Sequence, residues 1–103
     1  METRRQKIER MLALEPGDVF LNFGLAMELT KEKAFDAALT SFDRVISLDA
    51  DYTAAYHHKA ATLSALGRHD EARTTIDAGI QAARRIGNGH AESELNDLLL
   101  AMP

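Results

Sequence analysis

The stretch LGRHDEA, Leu66–Ala72, interrupts two long runs that are rich in alanine and leucine. Gly67 within it fits the left-handed backbone position that commonly follows the last residues of a helix. The stretch EKAFDAA, Glu32–Ala38, interrupts the first half of the chain in the same way. Both stretches are therefore predicted to be corners of helical hairpins, and the chain is predicted to contain the same hairpin twice.

The two hairpins can be aligned residue by residue. After the corners, matching residues lie 34 apart, as Ala38 and Ala72 do. Before the corners we align the helices with an offset of 36, in three pairs that predict one buried face: Phe20 with Tyr56, Gly24 with Ala60, and Met27 with Leu63. The difference of two residues is assigned to a longer turn, KEK, in the first hairpin, because loops tolerate insertions at low cost.

Further helix signals bring the expected number of helices to six. TRRQ from Thr3 has the spacing of a capping box, and Asp18 is suited to cap a second helix. The run Asp49–Asp51 is interpreted as a stop and a new cap, and GNG from Gly87 as the end of the fifth helix. No segment alternates polar and apolar residues long enough to predict a strand. Since the connections are short, we expect an all-α fold of antiparallel neighbouring helices.

Composition limits the possible functions. The 103 residues are 46% apolar and 27% charged, which is typical of one globular domain. A net charge of −4 disfavours nucleic-acid binding. Because there is no cysteine, disulfides and thiolate zinc sites are impossible, and we expect a cytoplasmic protein. The apolar runs are too short to span a bilayer, so no membrane partner is expected.

The aligned residues resemble the pattern of the tetratricopeptide repeat family, which places small and large residues at fixed positions of a helical hairpin. The second hairpin supplies Tyr56, Ala60, Leu63, Ala72 and Ile76 for this pattern. The resemblance implies hairpins stacked as a short right-handed solenoid. Small residues such as Ala38 and Ala72 are expected where helix backbones approach closely. Neither repeat ends in the family's usual proline.

The resemblance also implies a division of the chain into four parts that form a single domain. We expect an N-terminal helix in residues 1–16, a first repeat in 17–50, a second in 51–84 and a C-terminal capping helix in 88–103. Two repeats rarely bury enough surface alone, so the flanking helices are expected to cover both ends of the repeat pair.

In proteins that this sequence resembles, one face of the first helix of each repeat lines a concave groove that binds a peptide or a helix. We expect this groove to be lined by apolar and polar residues of both hairpins: Leu21, Asn22, Leu25, Glu28, Leu29, Ala54, His57, His58, Ala61 and Ser64. The alternative is that Leu21, Leu25 and Leu29 are covered by a neighbouring helix or by dimerisation. The predicted function is a non-catalytic protein-interaction module without a cofactor, whose partner the sequence does not identify.

Other functions are weighed against this one. A homodimer formed through the groove or the C-terminal helix is the main alternative, since Leu98, Leu99 and Leu100 cannot share one helix face. The resemblance does not extend to domains that hold a chaperone's C-terminal carboxylate with lysines and asparagines. The corresponding places here are Leu21, Leu25, His57 and Ala61.

Catalysis and metal binding have little support in the sequence. His57 and His58 are adjacent, so on a helix they point about 100° apart and cannot chelate one ion without further ligands. No catalytic triad, phosphate-binding loop or paired carboxylate motif is found.

Overall fold

The computed structural model describes all residues from Met1 to Pro103 and confirms the all-α prediction. The chain forms six α-helices and no strand: α1 Arg4–Leu14, α2 Val19–Lys31, α3 Phe35–Leu48, α4 Thr53–Ala65, α5 His69–Arg85 and α6 Gly89–Ala101. These bounds lie close to those expected from the caps and glycines. The helices form packed hairpins joined by short turns.

The chain divides into two compact units, Met1–Asp49 and Ala50–Pro103. In unit 1, α1 packs on α2, and α2 packs on α3. In unit 2, α4 packs on α5, α5 packs on α6, and α4 also contacts α6. Each unit therefore consists of one hairpin and one additional helix, which precedes the hairpin in unit 1 and follows it in unit 2.

Two of the three predicted helix caps are confirmed. The Thr3 side chain accepts a hydrogen bond from the Gln6 N–H in a complete capping box, and the Asp18 carboxylate accepts one from the Leu21 N–H. The cap expected in Asp49–Asp51 is wrong, because α4 begins after Tyr52 without a side-chain cap. The Asp51 carboxylate instead lies 2.9 Å from the Arg85 guanidinium.

The corners of the hairpins share one hydrogen-bond pattern. The N–H of Ala34 donates to the carbonyl of Leu29, and the N–H of Arg68 donates to that of Leu63, both at 2.9 Å. This six-to-one bond requires a left-handed residue immediately before its donor. Gly67 fills that place with φ 77° in the second hairpin, whereas Lys33 fills it with φ 61° in the first.

The corners correct our alignment of the first helices. Both turns have the same length, 32–34 and 66–68, so the first hairpin has no insertion. The offset of 36 is therefore wrong, and the spacing is 34 throughout. The buried faces agree with this register, since three pairs at that spacing are buried: Asn22 with Tyr56, Ala26 with Ala60, and Leu29 with Leu63. Phe20, which we expected to be buried, is 74% exposed.

Small residues lie where the helices pack most closely, as predicted. Ala38 and Ala72 are fully buried, and so is Ala60. Gly24 is only half-buried, and a Cβ atom there would lie 3.5 Å from Ile8, so Ala26 takes the place assigned to Gly24. Among the glycines, Gly79 is the most tightly packed, because a Cβ atom there would lie 2.7 Å from the Cβ atom of Tyr56.

The corner geometry predicts that Lys33→Gly stabilises the protein. A left-handed conformation costs a residue with a Cβ atom about 1–2 kcal/mol, which glycine avoids, although glycine also makes the unfolded chain more flexible. We expect a net gain of about 0.5–1 kcal/mol in the free energy of unfolding in urea.

Gly67→Ala is the reciprocal change and should destabilise the protein by a similar amount. Gly17→Ala serves as the control, because Gly17 has no positive φ and no atom within 4 Å of the added Cβ. Equal unfolding midpoints for all three variants and the wild type would contradict the corner geometry.

Candidate protein-interaction surfaces

The structure places two of the expected groove residues of α2 in the interior. Asn22 is 7% exposed, and its amide donates to the carbonyls of Pro16 and Asp18 at 3.1 and 2.8 Å. Leu29 is 6% exposed. The prediction that these two side chains face a partner is therefore wrong, and the physical reason is the shift of register by two positions in α2.

The three other expected residues of α2 remain partly open to solvent. Leu21 and Leu25 are half-buried. Glu28 lies 2.7 Å from the Arg4 guanidinium and 3.6 Å from the Lys31 ammonium. Of the three leucines that we considered as covered by a neighbouring helix, only Leu29 is buried.

A cleft lies between α1 and α2, on the side of α2 that we expected to be buried. We call it the α1–α2 cleft, and its volume is about 430 Å³. Most of its lining is apolar: Ile8, Met11, Phe20, Leu21, Phe23, Gly24 and Met27. Three charged residues line one end: Arg4, Lys7 and Glu28. Phe23 also contacts Phe42, with ring centroids 6.2 Å apart. This volume falls within the range of about 300–1,000 Å³ that is usual for ligand pockets.

The expected groove residues of α4 all reach the surface of unit 2. Ala54 is exposed, and the other four are half-buried: His57, His58, Ala61 and Ser64. Ala54 and His57 line a small cleft of about 120 Å³ against α6, which we call the α4–α6 cleft. Thr53 and Asn88 add polar atoms to its lining, and α6 adds His90 and Glu94.

The histidines of this region differ in environment. The rings of His57 and His58 meet edge to face, with centroids 5.3 Å apart. His90 is exposed, with its Nε2 atom 3.2 Å from the Glu94 carboxylate. Burial lowers the pKa of His58, and the neighbouring His57 lowers it further, while Glu94 acts weakly in the opposite direction. No cluster of histidine and carboxylate side chains is arranged to hold a metal ion.

The leucines of α6 separate as their spacing predicts. Leu95 is 1% exposed and closes the core of unit 2, whereas Leu100 is 83% exposed. Leu98 and Leu99 are half-buried.

None of the six helices combines the length and the apolar character that a membrane span requires.

The comparisons with known proteins identify the family. The family model described as tetratricopeptide repeat matches residues 29–86. The chain therefore belongs to the tetratricopeptide repeat family. No protein among the curated ones matches the chain.

Solved structures show the same fold. A tetratricopeptide repeat domain protein from Salinibacter ruber is 35% identical, with a TM-score of 0.74 over 81% of this chain and 92% of that one. A Bordetella parapertussis protein, BPP2914, is 28% identical, with a TM-score of 0.84 over 97% and 87% of the two chains. The TPR2B domain of yeast Sti1, in complex with pHsp70, is 24% identical, with a TM-score of 0.87 over 93% and 77%.

Our sequence reasoning missed the α1–α2 cleft, although the sequence contains a signal for it. With a spacing of 34 applied to the first helices as well, Phe20 and Phe23 pair with Ala54 and His57, two residues that we had already assigned to the surface. The two aromatic rings led us to the wrong register, because large apolar side chains usually indicate the core.

The lowered pKa of His58 predicts that acid destabilises unit 2. Above the unfolded-state pKa of about 6.5 the residue is neutral in both states. As the pH falls below that value, the unfolded chain binds a proton that the folded chain resists, so stability decreases. The free energy of unfolding in urea should therefore fall as the pH is lowered through about 6.5.

His58→Gln should reduce this loss, because it removes the titrating group. His90→Gln, which removes an exposed histidine of the same unit, is the matched control. A loss on acidification that is equal in the wild type and in His58→Gln would show that His58 does not resist protonation.

Proposed function

We propose that the protein is a non-catalytic module that binds a segment of another protein on the surface of α4. The observation that carries the proposal is the α4–α6 cleft, in which side chains of two helices converge at the surface of a tetratricopeptide hairpin. Family membership supports a protein–protein interaction. We also propose that the protein acts in the cytoplasm and needs no cofactor.

The side chains of the α4 surface suit an extended peptide. Ala54, Ala61 and Ser64 are small, so a partner backbone has room to approach the helix. Each peptide group of the partner needs a hydrogen-bond partner when it leaves water. His57 and His90 offer ring nitrogens, and Glu94 offers carboxylate oxygens, on the two sides of the cleft.

In unit 1, we propose that Leu21 and Leu25 contribute apolar contacts to a partner. Both are half-buried, so binding would remove further apolar surface from water. Complete burial of one exposed leucine contributes about 1.5–3 kcal/mol, which sets an upper limit for each residue here. Glu28, held by Arg4 and Lys31, would form a polar edge beside them.

The yeast Sti1 domain in complex with pHsp70 provides a comparison for the kind of partner. It supports a protein segment as the ligand. However, none of the five residues assigned to the α4 surface is a lysine or an arginine that could pair with a carboxylate: Ala54, His57, His58, Ala61 and Ser64. We therefore propose a partner segment that is not held by its terminal carboxylate.

Self-association is the second candidate, and Leu100 is the observation that favours it. A leucine that is 83% exposed on α6 would be covered if two copies met along that helix. This candidate shares no residue with the α4 surface, so one experiment can distinguish the two.

A photo-reactive amino acid placed at Ala61 or at Ala78 in the host cell tests the proposal. Ala78 is an exposed alanine on α5 and serves as the matched position. We expect a covalent adduct with a specific protein from position 61 and none from position 78. Ala61→Arg should then raise the dissociation constant for that purified protein at least about tenfold, which is about 1.4 kcal/mol.

Ala78→Arg should leave the affinity unchanged, with helix content checked by circular dichroism. Identical adducts from both positions, or an unchanged affinity in Ala61→Arg, would contradict the proposal. Adducts between two copies of this chain that Leu100→Glu abolishes would instead support self-association.

A further inference from the structure

Helix α1 has the register of the second helix of a tetratricopeptide hairpin. Ile8, Phe42 and Ile76 follow one another at the constant repeat spacing on α1, α3 and α5, and all three are buried. A first helix packs against each of the other two, namely α2 against α3 and α4 against α5. Within unit 1, the helix packed against α1 is α2, which follows it in the chain.

The surface of α5 that α4 covers corresponds to the wall of the α1–α2 cleft. Four positions of α5 are buried in unit 2: Ala72, Thr75, Ile76 and Gly79. The equivalent positions lie two repeats of 34 residues earlier in the chain, at Arg4, Lys7, Ile8 and Met11. These are the four residues that α1 contributes to the cleft. Of these, only Ile8 is buried. This surface is buried in unit 2, where Tyr56 of α4 approaches it at Gly79, and it is open in unit 1 except at Ile8.

The apolar part of the cleft has the exposure expected of an incomplete helix interface. Phe20 is 74% exposed and Met11 is 40% exposed, although both are large apolar side chains. In unit 2, α4 contacts both α5 and α6, the pair that corresponds to α1 and α2. A helix in the cleft would likewise contact two helices, and it would cover both Phe20 and Met11.

The charges in the cleft indicate the direction and chemistry of such a helix. The C-terminal end of α4 lies beside the start of α5, because a short turn joins them. A helix placed in the same way would end beside Arg4 and Lys7, which stand where Ala72 and Thr75 are buried in unit 2. The C-terminus of a helix has partial negative charge, and acidic side chains there would add to the attraction. Arg4 is paired with Glu28, and the Lys7 ammonium attracts the Glu2 carboxylate.

We propose that the α1–α2 cleft binds an amphipathic helix of another protein, antiparallel to α1, whose last turn carries acidic residues facing Arg4 and Lys7. Met11 occupies the place of Gly79, which closely approaches Tyr56 of α4. The bound helix therefore has a small residue opposite Met11. This site shares Leu21 and Glu28 with the contacts proposed for unit 1 above, and it does not depend on the α4 surface.

A stapled peptide with the sequence of residues 52–66 of this chain provides a defined probe. It carries Tyr56→Ala, for space beside Met11, and Thr62→Glu with Ala65→Glu in the last turn. Stapling is needed because isolated helices of about 12–15 residues are marginal in water. A second peptide has lysine at both positions 62 and 65. Binding of each labelled peptide to the full chain is measured by fluorescence polarisation.

We expect the glutamate peptide to bind at least about tenfold more tightly than the lysine peptide. Lys7→Glu should reverse this preference, and Phe20→Ser should weaken both peptides. Lys33→Glu, the same charge change outside the cleft, should leave the preference unchanged. Circular dichroism verifies that each variant is folded.

Several results would overturn the proposal. One is the absence of binding by the glutamate peptide up to about 1 mM. Another is a peptide preference that Lys7→Glu does not alter. A third is sedimentation showing that the free chain forms a dimer that Phe20→Ser disrupts, because the helix bound in the cleft would then belong to a second copy of this chain.

Discussion

The close approach of helix backbones at one constant spacing along the chain is the constraint on which the rest of the structure depends. Ala26 and Ala60 are fully buried on the first helices, and Ala38 and Ala72 are fully buried on the second. A larger side chain at any of them would push two helices apart, because protein interiors are packed without spare volume. The six-to-one hydrogen bond at each corner keeps the spacing constant, since it sets the length of the turn.

Most of the fold could be predicted from the sequence, because helix caps, corner glycines and small residues act locally. Thr3, Asp18 and Gly67 each have the role that their chemistry indicates. The register of α2 could not be predicted in this way, because Asn22 is a polar residue in a buried position. Its burial is possible because two backbone carbonyls accept hydrogen bonds from its amide, and this requires the chain to turn at Pro16.

The candidate surfaces were predicted unequally for the same reason. On α4, where the register was correct, the expected residues reach the surface. On α2, the shift of register places Asn22 in the core and Phe20 at the surface, so Asn22 was wrongly assigned to the groove and Phe20 to the core. The corrected register leaves two main candidate surfaces, one on α4 and one in the α1–α2 cleft. The α4 surface consists of small or polar side chains, whereas the α1–α2 cleft is apolar and has basic residues at one end.

The most direct test of this account compares Ala26→Leu with Gly24→Leu by urea unfolding. In the register of 34, Ala26 lies at the close approach, so leucine there should cost about 1–3 kcal/mol or more. Gly24 borders the α1–α2 cleft, and replacing a helical glycine by leucine should gain up to about 0.8 kcal/mol. The account therefore predicts a lower midpoint for Ala26→Leu and an equal or higher midpoint for Gly24→Leu. The reverse order would contradict the register and both surfaces derived from it.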